Sequence, residues 1–451
     1  MEKQQNFMCE GPILPAIIKY SLPIMLTGAL QILFNAADIM VVGRYCNERS
    51  VAAVGSTTPM INLIVNFFLG FSVGVGIITA QNLGAANREN VSKTVHTAFP
   101  LAVLCGAVVT ILGLFFSKNL LEIMATPESV LSKSVTYVNI YFIGAIPMMV
   151  YNFGASILRS AGDSVTPLVF LGISGVLNVI LNIIFVALFN MDVAGVALAT
   201  TISQTVSCIL VVISLIKRND DIRLSVKLLC FNAKIVKKIF TIGLPAGVQS
   251  SLFSISNMLI QSSINGFGDI AMSGNAAAQN IDGMIYVIMN AVSQTATNFT
   301  GQNVGAKNYR RVRQILFYCT AYVTFVGVAL GVIVYIFAEP LLNIFIPGAH
   351  EAIGYGITRT FWISLPYFLC GIMEIFSGSL RGMGYSVTPM IITVFFICVF
   401  RVIWIMTVFK LPQYHIIDCV YASYPLSWLL ALLALIPANI ILFKHLKKST
   451  S

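Results

Sequence analysis

What most restricts this chain is a succession of about twelve long apolar stretches joined by short polar loops, each long enough to cross a bilayer. A helix rising about 1.5 Å per residue needs roughly 20 apolar residues to traverse a hydrocarbon core of about 30 Å. The segments 14–43, 51–80, 94–116, 135–158, 166–189, 193–215, 239–264, 275–300, 315–337, 356–379, 388–409 and 420–443 meet that need. With 57% hydrophobic residues, 10% charged residues and a mean hydropathy of +0.87, the chain lies outside the range of water-soluble domains. The fold class that follows is an all-α integral membrane protein with twelve transmembrane helices.

The net charge of +10 does not imply nucleic acid, because the basic residues sit in short loops between apolar spans. Most of the 27 Lys and Arg fall on one side if both termini are cytoplasmic, so the positive-inside rule predicts that orientation in a cell (inner) membrane. No apolar run precedes Ile13, so insertion is expected to use the spans themselves. The nine cysteines stand mostly singly in apolar stretches, without CxxC spacing or a histidine cluster, and point to neither metal nor disulfides.

An internal repeat sets the architecture. Leu22-Pro23 matches Leu244-Pro245, and Gln81-Asn82-Leu83-Gly84-Ala85 returns as Gln302-Asn303-Val304-Gly305-Ala306. Leu158-Arg159-Ser160-Ala161-Gly162-Asp163-Ser164-Val165-Thr166-Pro167 returns as Leu380-Arg381-Gly382-Met383-Gly384-Tyr385-Ser386-Val387-Thr388-Pro389. The spacing is 221 or 222 residues each time. An even number of spans separates the copies, so the halves share one orientation and form two six-helix lobes related by a pseudo-twofold axis along the membrane normal. The expected division is an N-terminal lobe 1–216, a basic cytoplasmic linker 217–238, and a C-terminal lobe 239–451. The glycines and prolines of the repeated loops suit tight turns and first helical turns, so these loops specify fold rather than cargo.

These residues resemble the multidrug and toxic compound extrusion (MATE) family, prokaryotic type. The resemblance is carried by Asn35-Ala36-Ala37-Asp38 with Val42-Gly43-Arg44 in the first span and by the doubled loops, and it covers nearly the whole chain. It implies a V-shaped cavity between two bundles and efflux of organic, often cationic and amphiphilic, compounds in exchange for protons or sodium. It also implies that Asp38 is the protonation or sodium site. The chain departs from the family twice. Asn182 stands where some members carry a second carboxylate after Asn178, and the stretch Gln249 to Ser256 holds none of the acid that other members place on the seventh helix.

Polar residues inside the spans support a transport site independently, since a carboxylate at the centre of a membrane helix costs about 2.5–3.5 kcal/mol on insertion scales. Thr27, Gln31, Asn35 and Asp38 follow steps of four, four and three, which makes one polar stripe on the first helix. Asn62 and Asn66, and Asn178 and Asn182, are each one turn apart and are candidates to complete an oxygen-rich site with Asp38 or to join helices by hydrogen bonds. On the eighth helix Asn275, Gln279, Asp282 and Tyr286 form a second polar face suited to a cation. Glu374 is a substrate counter-charge or ion relay, or the partner of Arg401, a lone arginine on the next helix.

The function expected is a secondary antiporter for small organic molecules, working as a monomer in the lipid bilayer. It needs no cofactor beyond H+ or Na+ as coupling ion, no certain metal and no nucleic acid. A lipid-linked oligosaccharide flippase is the alternative and calls for a more basic cavity. An intramembrane enzyme is disfavoured, because His96, His350, His415 and His445 lie near loops or helix ends, without an HExxH or GxSxG motif.

Overall fold

A computed structural model describes residues 7–124 and 126–450. These residues form helices and turns, with no strand among them. Apart from a short helix at Ala338–Phe345, the helices are α1 (Ile13–Tyr45), α2 (Glu48–Gly84), α3 (Arg88–Ile123), α4 (Glu128–Ile143 and Ala145–Ser160), α5 (Val165–Leu188), α6 (Asp192–Lys217), α7 (Ala233–Asn265), α8 (Asp269–Gly305), α9 (Tyr309–Ile336), α10 (His350–Gly382), α11 (Val387–Met406) and α12 (Ile417–Thr450). Ten of them are long and apolar enough to cross a membrane, and α4 makes an eleventh despite a 48° bend. The twelfth, α8, has 37 residues but, contrary to the expectation for 275–300, is too polar to count as a crossing helix by length and composition. All twelve expected spans coincide with these helices.

The repeated loops have repeated backbones. Gly162 and Gly384 both adopt a left-handed φ, at 96° and 95°. After each, the next amide reaches back five residues, Asp163 to the Leu158 carbonyl at 3.0 Å and Tyr385 to that of Leu380 at 2.9 Å, which closes a glycine C-cap. Ala86 and Lys307 likewise share a positive φ after the two Gln-Asn-x-Gly-Ala segments. Asn87 and Asn308 then cap the next helices through the amides of Asn90 and Arg311. These motifs are turn chemistry, as their composition predicts.

The chain forms two compact units, one made of Leu26–Ser251 and the other of the residues up to Met25 together with those from Leu252 onward. The cuts differ from a division at 217–238, because the start of α1 belongs with the second half and the start of α7 with the first. Pro23 and Pro245, which interrupt the backbone ladders of α1 and α7, stand within two turns of the changes.

In the first unit, Gly70 and Gly74 of α2 meet Gly243 and Gly247 of α7. A Cβ on Gly70 would overlap the Gly247 and Gly243 backbone, and one on Gly247 would overlap the Phe67 carbonyl, so only glycine permits this approach. Lys133 ties three elements together through Asp192 at 2.6 Å, Ser50 at 2.8 Å and Asn47 at 3.3 Å. In the second unit Phe299 is fully buried and packs edge-on against Tyr20 at 5.4 Å, while Asn298 donates to the Tyr20 hydroxyl at 3.0 Å.

Candidate functional site

In the first unit, Asp38 of α1 faces α5, and the approach is close because Gly175 leaves room for the Phe34 ring. Asn182 Nδ2 donates both to Asp38 Oδ1 and, at 3.2 Å, to Asn178 Oδ1. Asn178 Nδ2 in turn donates to Thr200 Oγ1 of α6 at 3.3 Å. One polar chain therefore links α1, α5 and α6, with Asn182 fully buried and Asn178 nearly so. Asn182 Oδ1 is buried without a partner, an unusual condition for a carbonyl oxygen in a protein interior. The stacked rings of Tyr137 and Tyr141 flank the site within electrostatic reach of Asp38.

The backbone contributes as well. A π-helical stretch, Ile183–Leu188, begins immediately after Asn182. Such widened turns change the direction of side chains and recur at functional positions. Of the other stripe residues of α1, Thr27 is buried while Gln31 and Asn35 are exposed. Asn62 is exposed and Asn66 half-buried on α2, and neither joins this cluster. Thr200 is the member that sequence reasoning missed.

This group offers one carboxylate and a set of neutral oxygens. Among the described residues no cluster of three or more His, Cys, Asp or Glu could hold a metal ion. With only one acid present, uptake of a single monovalent cation neutralises the cluster, whereas a divalent ion would leave a net positive charge in the membrane.

The second unit holds a different arrangement, and it corrects two expectations. Asp282 of α8 is buried, and Arg359 Nε of α10 donates to it at 2.9 Å, with Ser364 Oγ as a second donor. Arg359 Nη1 also donates to Asn275 Oδ1 at 2.8 Å, which accepts from the Tyr421 hydroxyl of α12 at 3.2 Å. The Asp282 carboxylate thus closes a polar core joining α8, α10 and α12 and does not line an open surface. The expected polar face of α8 splits for a simple reason: its four residues cover an arc of about 60° at 3.6 residues per turn. The border of the buried surface runs through that arc, leaving Asn275 and Asp282 inside and Gln279 and Tyr286 outside.

The second correction concerns Glu374. Its partner is Arg381, two turns along α10, whose Nη2 donates to Glu374 Oε2 at 3.2 Å. Arg401 of α11 is instead held by Ser427 Oγ at 2.8 Å and by the Tyr424 ring, 4.1 Å from the guanidinium carbon. It is 2% exposed and has no carboxylate partner among the described residues. Arg359 is also a buried arginine of this unit. Tyr286 is open to the surface and accepts from Asn290 at 3.3 Å, while Gln294 donates to Asn290 at 2.6 Å, so α8 carries an uncharged polar strip.

A family model for MatE matches residues 23–184 and again 245–407, one copy in each half of the repeat. The chain belongs to the MatE family. It is therefore a membrane transporter with small-molecule substrates, and not an enzyme. Among curated relatives, the chain is 28% identical over 398 residues to the probable multidrug resistance protein YpnP of Bacillus subtilis, with 87% of each chain covered. It is 26% identical to the probable multidrug resistance protein NorM of Thermotoga maritima, covering 84% of this chain and 82% of that one. Among solved structures, an outward-facing multidrug resistance MATE transporter of the MOP superfamily superposes with a TM-score of 0.91 at 22% identity, covering 99% of each chain. A MOP superfamily transporter from Pyrococcus furiosus, described as having a binding pocket of reverse polarity, superposes with a TM-score of 0.92 at 22% identity, again with 99% of each chain covered. The twelve-helix, two-lobe fold is thus that of the family.

Proposed function

We propose that this MatE transporter is an antiporter that exports small organic, cationic or amphiphilic compounds from the cytoplasm, and that H+ or Na+ taken up at Asp38 drives the exchange. The multidrug names of its relatives support the cargo class. The observation that carries the mechanism is the chain Asp38–Asn182–Asn178–Thr200 with its unpartnered Asn182 oxygen.

A proton bound at Asp38 converts the carboxylate into a donor that can turn toward Asn182 Oδ1. A sodium ion instead draws on Asp38, Asn182 Oδ1, Asn178 Oδ1 and Thr200 Oγ1 as oxygen ligands, the donor type that hard cations take. In either case the ligands come from α1, α5 and α6, so occupancy changes how α1 is held against its neighbours. Ion binding that differs between two states of the protein shifts the balance between them, and that difference in free energy is what coupled transport requires. Both termini and the linker lie in the cytoplasm in this reading, and the transporter acts as a monomer.

One observation favours a second cargo. Arg401 is buried with no carboxylate partner among the described residues, whereas Arg359 and Arg381 are matched by Asp282 and Glu374, which leaves one uncompensated positive charge inside the second unit. That balance suits an anionic amphiphile, such as a lipid-linked phosphate. Dye efflux from cells expressing wild type or Asp38→Asn, with proton and sodium gradients collapsed separately, tests the main reading. Export that stops with one gradient and in the variant supports it; export unaffected by either gradient overturns it.

A further inference from the structure

The two halves of the repeat differ at one socket on the face that carries the linker. In the second unit the chain fills it with its own segment Phe7–Gly11. Arg311 donates Nη1 to the Gly11 carbonyl at 2.8 Å, Nη2 to that of Glu10 at 2.9 Å and Nε to that of Met8 at 3.2 Å. Asn303 donates to the same Met8 carbonyl at 2.9 Å, and the Phe7 ring lies 6.0 Å from that of Phe299. Met8 is fully buried as a result.

The repeat places Asn82 at the position of Asn303, Ile78 at that of Phe299, and 229–231 at that of 7–9. Here the socket is left open. Cys230 is exposed and Phe231 is 59% exposed. His96 anchors this segment instead, its carbonyl accepting from the Cys230 amide at 3.3 Å and its Nε2 from the Ser225 amide at 2.9 Å. Asn82 donates to Thr94 Oγ1 at 3.4 Å. A cavity of about 570 Å³ remains, lined among others by Ile78, Asn82, Phe231, Lys93, Lys234 and Lys238. Lys93 pairs with the exposed Glu89, while Lys234 and Lys238 have no carboxylate partner among the described residues.

We infer that this cavity binds the anionic headgroup of a phospholipid. Two unpaired amines and a third nearby supply the charge that a phosphate needs, and clusters of basic residues beside a membrane helix attract acidic lipids. A lipid fits better than a soluble phosphate because Ile78 and Phe231 line the same space and Phe231 is exposed there. The lipid would hold the linker against the first half of the repeat, as Phe7–Gly11 is held directly against the second.

Native mass spectrometry of purified full-length protein titrated with phosphatidylglycerol or phosphatidylcholine tests this. The inference predicts selective retention of phosphatidylglycerol, weakened about fivefold for each lysine removed in Lys234→Gln/Lys238→Gln. The control pair Lys237→Gln/Lys444→Gln has the same net charge but lies outside the cavity, and it should bind like wild type. Both pairs must melt at the wild-type temperature in lipid-free detergent; if the first does not, Lys238→Gln alone carries the comparison. Equal loss in both pairs, no preference between the two lipids, or displacement of the lipid by equimolar glycerol phosphate each overturns it.

Discussion

Replacing Arg359 by methionine decides whether Asp282 is part of the scaffold or part of the transport path. The substitution removes the 2.9 Å ion pair to Asp282 and the 2.8 Å bond to Asn275, and it takes away the cation placed 5.7 and 5.9 Å from the Tyr421 and Tyr424 rings. Asp282 is then left buried with Ser364 as its remaining hydrogen-bond donor. Breaking a buried pair by deleting one partner costs about 3–5 kcal/mol, because the other charge stays desolvated and uncompensated. Neutralising both, in Arg359→Met/Asp282→Asn, should recover about 2 kcal/mol of that loss, within the usual range for residues in direct contact. Tryptophan fluorescence during denaturant unfolding in micelles is a suitable readout, since Trp362, Trp404 and Trp428 all lie in the same unit as this pair. A loss below about 1 kcal/mol in Arg359→Met, the size of an ordinary substitution, together with abolished transport, would refute the structural role.

Three further outcomes follow from the packing. Gly70→Val drives a side chain into the backbone of α7, which has no rotamer to yield, so a stability loss of at least about 1–3 kcal/mol is expected in the same assay. Thr200→Ala removes the acceptor at the end of the Asp38 chain and should raise the ion concentration for half-maximal transport about fivefold, roughly 1 kcal/mol for one hydrogen bond, with protein yield unchanged. Arg311→Gln releases the segment Phe7–Gly11 from its carbonyl contacts, and limited proteolysis should cut near Glu10 faster than in wild type while α1 survives.

Much of this molecule was legible in its sequence because the bilayer imposes strong rules. Every backbone amide within the core must be paired, so apolar stretches become helices, and even the more polar α8 forms over the expected span 275–300. Asn178 and Asn182 were legible as a pair one turn apart, because a helix places such residues on one face. Thr200 was not, since an isolated threonine in an apolar helix usually bonds its own preceding turn. Arg359 stands near the end of an expected span, where arginine normally reaches the interface, and only tertiary packing reveals that it turns inward toward Asp282. Of the alternatives open for Glu374, the pair with Arg401 on the next helix is not the one formed. Two turns along one helix also bring side chains to one face, and the long Arg381 side chain reaches back over that distance. The cuts between the compact units were out of reach, because they depend on where α1 and α7 find partners and not on their composition.

The central claim is that Asp38 holds the ion that is exchanged for substrate. Purified protein in weakly buffered detergent, challenged with a cationic dye such as ethidium, gives the most direct test when released protons and displaced radioactive sodium are both measured. Wild type should release one of the two ions as dye binds, and Asp38→Asn should bind dye without releasing either. Release from Asp38→Asn equal to that from wild type would contradict the account and place the coupling site elsewhere in the protein.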